Sequence, residues 1–336
     1  MMRLAKIPSE KASEAIPFLI SNGMADPSAK ICGSAGIRLV PIYAERENDV
    51  RKMGFDVIEG DTFNREIRSP QNRIKEHLAH LNSDVMEELP TKWEFVGNVV
   101  ILRLRESAAP YKKEIGAAYA KALNAKAVCA DIGGVSGEFR KPRTEMLFGD
   151  NAESTRLENG IYYKFDAANI MFASGNTDER NRMKKLNCEG ETVVDMFAGI
   201  GYFSLPVAKF TGAENVIACE KNPDSYRYLC ENIRINNIGN ITSVLGDNRG
   251  LACKDADRII MGYVQRTSDF LYKAKDMIRP GGIIHYHDTF YVNEYRERLS
   301  TIFSNVFGKG HSIRSIREVK SFAPSVSHYV ADVIIT

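Results

Sequence analysis

Residues 193–204, Val-Val-Asp-Met-Phe-Ala-Gly-Ile-Gly-Tyr-Phe-Ser, run from an apolar stretch through a two-glycine turn into the apolar, helix-like segment Leu205 to Phe210. A strand feeding a tight loop into a helix is the unit from which open α/β sheets build a nucleotide-type binding site. Gly199 and Gly201 suit such a loop, because a residue without Cβ takes positive φ and lets the backbone approach a ligand. Predicted strands at 193–197, 215–219, 241–245, 258–263, 283–287 and 329–335 alternate with helical stretches. That alternation predicts a doubly wound, mostly parallel sheet, hence an α/β fold of the Rossmann-like kind.

The chain has 336 residues, enough for two or three domains. Three are expected: a small α/β domain at 1–70, an α+β domain at 71–178, and the doubly wound domain at 179–336. In the first, a helix is predicted over 9–21 and a strand over 36–43, and the polar stretch 64–72 with Ser69-Pro70-Gln71 reads as a linker. In the second, one helix is predicted over 73–89, a hairpin over 93–104 about Gly97-Asn98, a helix over 111–123 and a strand over 160–165. Between those last two, 134–149 reads as a loop rich in glycine and basic residues.

Net charge is +2, so nucleic-acid binding needs local basic patches rather than a basic protein. The six cysteines show no C-x-x-C pairing, and neither disulfides nor a bound metal are expected. The N-terminus lacks the apolar core of a signal peptide and no run is long enough to span a bilayer; a cytoplasmic protein with no membrane partner is expected.

The glycine spacing approaches the dinucleotide fingerprint but places Ser204 where the third glycine belongs. Three successive predicted strands end in acids: Asp195, Glu220, and Asp247 followed by Asn248. A carboxylate at Glu220 can accept both ribose hydroxyls, and Asp247 with Asn248 can bond an adenine edge. Acids around the loop repel a pyrophosphate and attract a sulfonium and an ammonium, which points to S-adenosylmethionine and a class I fold for that ligand. The alternative is that these acids cap the following helices, as Asn222-Pro223 does well.

These residues carry a family resemblance. The loop 195–203, Glu220-Lys221-Asn222-Pro223, Gly246-Asp247-Asn248-Arg249, Phe139-Arg140-Lys141-Pro142-Arg143, the stretch 165–183 and Ala323-Pro324-Ser325-Val326-Ser327-His328 resemble the enzymes that modify guanosine 37 of tRNA. That group contains guanine-N1 methyltransferases and wybutosine-pathway aminocarboxypropyltransferases. Met261-Gly262-Tyr263, where the methyltransferases carry Asn-x-Pro, and His285-Tyr286-His287 look like the second subgroup. The resemblance implies transfer of the 3-amino-3-carboxypropyl group of S-adenosylmethionine to 4-demethylwyosine in tRNA-Phe, releasing methylthioadenosine. The expected partner is the anticodon loop, with 71–178 as a tRNA-binding or linker domain and the role of 1–70 open between tRNA binding and another; a monomer is expected. Where the family has Phe-Ser-Pro this chain reads Phe172-Ala173-Ser174, so the Ser174 contact is shifted or lost. Residues 1–70 resemble the N-terminal domain of three-domain methyltransferases, and methyl transfer to guanine N1 or to the wyosine base is the alternative.

Expected cofactor contacts are Ser174, Arg180, Asp195, Phe197, Gly199, Gly201, Glu220, Lys221, Asp247, Asn248 and Met261, with Arg180 set against the migrating carboxylate. Catalytic candidates are Asp195, Tyr263 and Arg143. Asp195 either meets the ammonium or orients the loop. Tyr202 and Tyr263 either stack on a flipped base or pack in the core. His285 and His287 share a sheet face and read as a buried, hydrogen-bonded pair rather than a base. Arg140-Lys141-Pro142-Arg143, Lys184-Lys185, Arg314 and Arg317 are the expected phosphate contacts. A sulfonium has three carbon substituents, and orientation decides which one is displaced; positioning is worth about 7–11 kcal/mol. A non-catalytic RNA-binding protein and a dehydrogenase are the remaining alternatives.

Overall fold

The computed structural model describes residues 2–34, 36–61, 69–137, 139–264 and 266–336. The chain forms two compact units, Met1–Arg73 and Ile74–Thr336.

In the first unit, Met2–Pro8 lies between Ile37–Ile42 and Asp56–Gly60 in an antiparallel sheet, with Cys32–Ser34 at the edge. The helix Ala12–Ser21 buries Ala15 and Leu19 against Ile7 and Val40 of the sheet. Of the predicted linker, residues 64–68 lie outside the described residues, and Pro70 opens a helix, Pro70–His77.

The second unit begins with two helices where one was predicted. Asn82 interrupts them: its side chain accepts from the Val85 amide at 2.9 Å and caps Ser83–Glu87. The hairpin Trp93–Val96 and Val99–Leu102 turns at Gly97-Asn98 as expected. The predicted loop 134–149 is instead mostly sheet. Ala127–Ser136 pairs antiparallel with Lys141–Phe148, with register shifts between Val128 and Cys129 and between Asp131 and Val135, so Lys141 and Arg143 sit on a strand. Helix Lys112–Leu123 covers this sheet through Ile115 and Tyr119. A separate hairpin joins Glu153–Glu158 to Ile161–Asp166.

The large sheet has seven strands: β1 (Thr192–Asp195), β2 (Asn215–Glu220), β3 (Ile241–Leu245), β4 (Ala256–Met261), β5 (Ile278–Tyr291), β6 (His311–Ala323) and β7 (Val326–Ile335). Their order is β3-β2-β1-β4-β5-β7-β6. The first five run parallel, and β7 lies antiparallel to both β5 and β6. The order reverses at β1 and β4, which opens a crevice beyond their carboxyl ends. β6 escaped the sequence reading because it is a polar edge strand, with Arg314, Arg317 and Lys320 interrupting its apolar residues.

One apolar core runs from Val99 and Cys129 of the smaller sheet through Ile161 and Phe165 of the hairpin to Val193 and Ile200. The boundary expected at 178/179 therefore falls inside continuous packing. Among the described residues, no helix is long and apolar enough to cross a membrane.

Candidate functional site

The glycine loop is fastened by the neighbouring strand. Gly199 (φ +57°) and Gly201 (φ +99°) both lie in the left-handed region, and a Cβ on Gly201 would sit 2.5 Å from Leu205 Cγ. Glu220, at the end of β2, accepts the Gly199 amide on Oε2 and the Asn222 amide on Oε1, each at 2.7 Å. Burial raises the Glu220 pKa while these amides oppose the shift. Asp195 is fully buried beneath the loop, accepts the Phe197 amide at 3.2 Å, and is pushed up to about 7 by burial. It is not among the residues lining the cavity.

A cavity opens over the carboxyl ends of β1 to β4, lined by Phe197, Gly199, Glu220, Lys221, Asp247 and Asn248 from the first three strands. Asn248 is buried. Its Nδ2 donates to the Met196 carbonyl at 2.9 Å, and its Oδ1 is buried without a partner, a ready acceptor for an amino group. Asp247 is clamped by Arg249 at 2.6 Å and Lys221 at 3.2 Å, which hold its carboxyl well below the usual range. Tyr263, just past β4, stacks on Phe197 (centroids 5.0 Å apart, planes 17°), with Phe270 edge-on to Phe197 at 5.0 Å. Acceptors at both ends of an aromatic wall fit an adenosine, so the residues present suit S-adenosylmethionine.

The rest of the lining comes from distant segments and sets three cations, Arg140, Arg180 and Lys320, beside the imidazoles of His287 and His328. Arg180 is buried, bonds Glu158 at 2.5 Å and the Ala173 carbonyl at 3.0 Å, and lies over the Phe172 ring at 4.6 Å. Arg140 has a positive φ of +49°, and its Nε is buried without a partner. Burial, together with Arg180 and Arg140, lowers the Lys320 pKa.

The structure places several expected residues away from the cavity. Ser174 is exposed and does not line the cavity; Ala173 and Asn176 stand there instead. Met261, the last residue of β4, is fully buried in the core, and Gly262 and Tyr263 beyond the strand end line the cavity instead. Gly201 serves the tight loop–helix contact with Leu205 rather than the lining. Arg143 is exposed on its strand, and Arg140 takes the place at the cavity. The Tyr202 hydroxyl donates to the Met171 carbonyl and its ring packs on Phe172, so it is a wall rather than a stacking platform. The two histidines do not pair with each other: His285 bonds Asp332 (2.5 Å) and Arg258 (3.0 Å), whereas His287 bonds His328 (3.2 Å). Lys184 donates to the Asn159 carbonyl and Arg317 pairs with Asp332, so neither is a free phosphate contact. Lys320 was missed outright. Arg140 and His328 lay within motifs noted in the sequence, but nothing local marked either as part of the cavity.

Two family models match the chain: the TRM5/TYW2 methyltransferase domain over residues 154–308 and the TYW2 N-terminal domain over 74–152. A tRNA(Phe) (4-demethylwyosine(37)-C(7)) aminocarboxypropyltransferase of Methanocaldococcus jannaschii is 40% identical over 245 residues, 72% of this chain and 96% of that protein. The tRNA (guanine(37)-N(1))-methyltransferase Trm5b of Pyrococcus abyssi is 33% identical over 330 residues, 96% of each chain. The crystal structure of Pyrococcus horikoshii TYW2 in complex with MeSAdo superposes with a TM-score of 0.71 at 38% identity, covering 78% of this chain and 98% of that one.

Proposed function

The chain belongs to the TRM5/TYW2 family, and from that premise we propose that it transfers the 3-amino-3-carboxypropyl group of S-adenosylmethionine to C7 of 4-demethylwyosine at position 37 of tRNA-Phe. The observation that carries this reading is the 40% identity to an aminocarboxypropyltransferase across 96% of that protein's length. The match of the TYW2 N-terminal domain to residues 74–152 supports it. So does the likeness to a TYW2 bound to MeSAdo, because methylthioadenosine is what remains of S-adenosylmethionine once the aminocarboxypropyl arm has left.

In this reading Glu220 takes the ribose hydroxyls with its remaining lone pairs, and the Asn248 Oδ1 takes the adenine amino group. Phe197 and Tyr263 wall the adenosine. Arg180 and Arg140, on the opposite side, face the carboxylate of the methionine arm. The catalytic contribution is placement: the arm is turned so that Cγ, not the methyl carbon, meets the base. The base leaves its stack to reach the cavity, and Lys141 and Arg143 hold phosphates outside it.

Methyl transfer is the second reading. The methyltransferase of P. abyssi aligns over 96% of this chain, N-terminal unit included, where the aminocarboxypropyltransferase of M. jannaschii aligns over 72%. The deciding experiment supplies tRNA bearing 4-demethylwyosine with S-adenosylmethionine labelled in the carboxyl or in the methyl carbon. Carboxyl label in the tRNA with release of methylthioadenosine is expected; methyl label alone overturns the proposal.

A further inference from the structure

Building C7–Cγ leaves a proton to dispose of, and the cavity contains one arrangement suited to take it. We infer that His328 is the proton acceptor of the transfer, held in its accepting tautomer by His287 and Glu179. The inference rests on the aminocarboxypropyl reading above. In that reaction the ring's π electrons at C7 form the bond to Cγ while the Cγ–S bond breaks and its electron pair stays on sulfur. Methylthioadenosine leaves neutral. The positive charge passes to the base, which still carries its C7 hydrogen, and aromaticity returns only when that proton is removed.

Several of the cavity's other ionisable groups are committed, and Lys320, whose pKa burial and neighbouring cations lower, is the rival acceptor that the test below includes. Glu220 is bonded by two backbone amides and Asp247 by Arg249 and Lys221, both at the adenosine end. The Tyr202 hydroxyl is spent on a carbonyl, and Arg140 and Arg180 are cations. Among the described residues lining the cavity, His287 and His328 are the two imidazoles. Burial and the surrounding cations push both down to about 3, so both are neutral bases at physiological pH. Low basicity is no obstacle, since a cationic ring adduct gives up its proton to a weak acceptor.

Tautomers follow from the neighbours. His287 Nε2 is buried without a hydrogen-bond partner and lies 3.8 Å from a carboxylate oxygen of Glu179, whose negative charge favours a proton on that nitrogen. A neutral His287 then has a bare Nδ1, which accepts from His328 Nε2–H across 3.2 Å. His328 is left with its lone pair on Nδ1. Phe203 stacks on His287 at 5.1 Å and fixes its ring plane, and Arg182 holds Glu179 at 2.6 Å. Glu179 and His287 are thus positioning residues, and His328 is the residue that meets the substrate.

The test uses the full chain with tRNA carrying 4-demethylwyosine, protiated or deuterated at C7, comparing wild type, His328→Gln, His287→Gln and Lys320→Met. His328→Gln is expected to lower kcat about 10²-fold or more with KM for tRNA and S-adenosylmethionine affinity retained. It should also raise the C7 deuterium isotope effect above the wild-type value, because proton removal becomes slow. His287→Gln should do the same more weakly. A His328→Gln enzyme with wild-type kcat, or one slowed with no change in isotope effect, overturns the inference. So does a raised isotope effect in Lys320→Met but not in His328→Gln. Methyl-carbon label in the wild-type product would instead overturn the functional reading, and this inference with it.

Discussion

Glu220 Oε2 accepts the Gly199 amide at 2.7 Å, so the end of β2 holds the glycine loop that follows β1. The same carboxylate lines the cavity and has lone pairs left for a ligand. Loop geometry and ligand affinity are therefore coupled through one side chain. Glu220→Ala removes hydrogen bonds to a charged group, each worth about 1.5–3 kcal/mol. Calorimetry should show S-adenosylmethionine binding weakened by roughly 10- to 150-fold for one such bond, and more if both ribose hydroxyls are lost.

Arg180 and Glu158 form a buried ion pair at 2.5 Å, with side-chain exposures of 2% and 6%. Removing Arg180 leaves the buried Glu158 with Arg156 at 3.3 Å and the Thr177 hydroxyl at 3.1 Å. Arg180→Met should destabilise the protein, by less than the roughly 3–5 kcal/mol of a fully orphaned buried charge, in denaturant unfolding.

Stability should fall on acidification from pH 7 towards pH 4. His287 and His328 are held near 3 against an ordinary value of 6.5, and burial lowers His285 as well. As pH drops through 6.5 the unfolded chain takes up protons that the folded histidines refuse, which favours unfolding. Asp195 acts in the opposite sense. It is raised from 3.8 to about 7, so the folded form binds its proton first and gains stability as pH falls through 7. Asp195→Asn should therefore steepen the acid loss measured by chemical denaturation from pH 7 to pH 4.

Lys141 and Arg143 are exposed on one strand, outside the cavity. If they meet phosphates, Lys141→Ala and Arg143→Ala each weaken tRNA binding at low salt and reduce the salt slope of log Kd by about 1. Turnover at saturating tRNA should be unaffected in both, measured beside the binding titration.

The strand-end acids and the two-glycine turn were readable from the chain because the interactions that need them are local. A tight loop demands positive φ, and a residue just past a parallel strand must face the crevice. The alternating pattern also announced the five parallel strands, of which the central β1 and β4 are apolar runs buried on both faces while the edge strand β3 is not. β6 stayed hidden because an edge strand buries little and its residues read as polar.

The histidine pattern shows where legibility stops. Alternation placed His285 and His287 on one face of β5, yet their partners are Asp332 and His328 on the neighbouring strand β7, so register between strands decided which was tied up and which met the cavity. Arg140 from a hairpin turn, Lys320 from β6 and His328 from β7 share one wall although the sequence separates them widely. Periodicity and backbone sterics alone announce the parallel strands, the glycine loop and the strand-end acids around it. The cationic wall of the cavity depends instead on which distant side chains pack together and on what burial does to their charge.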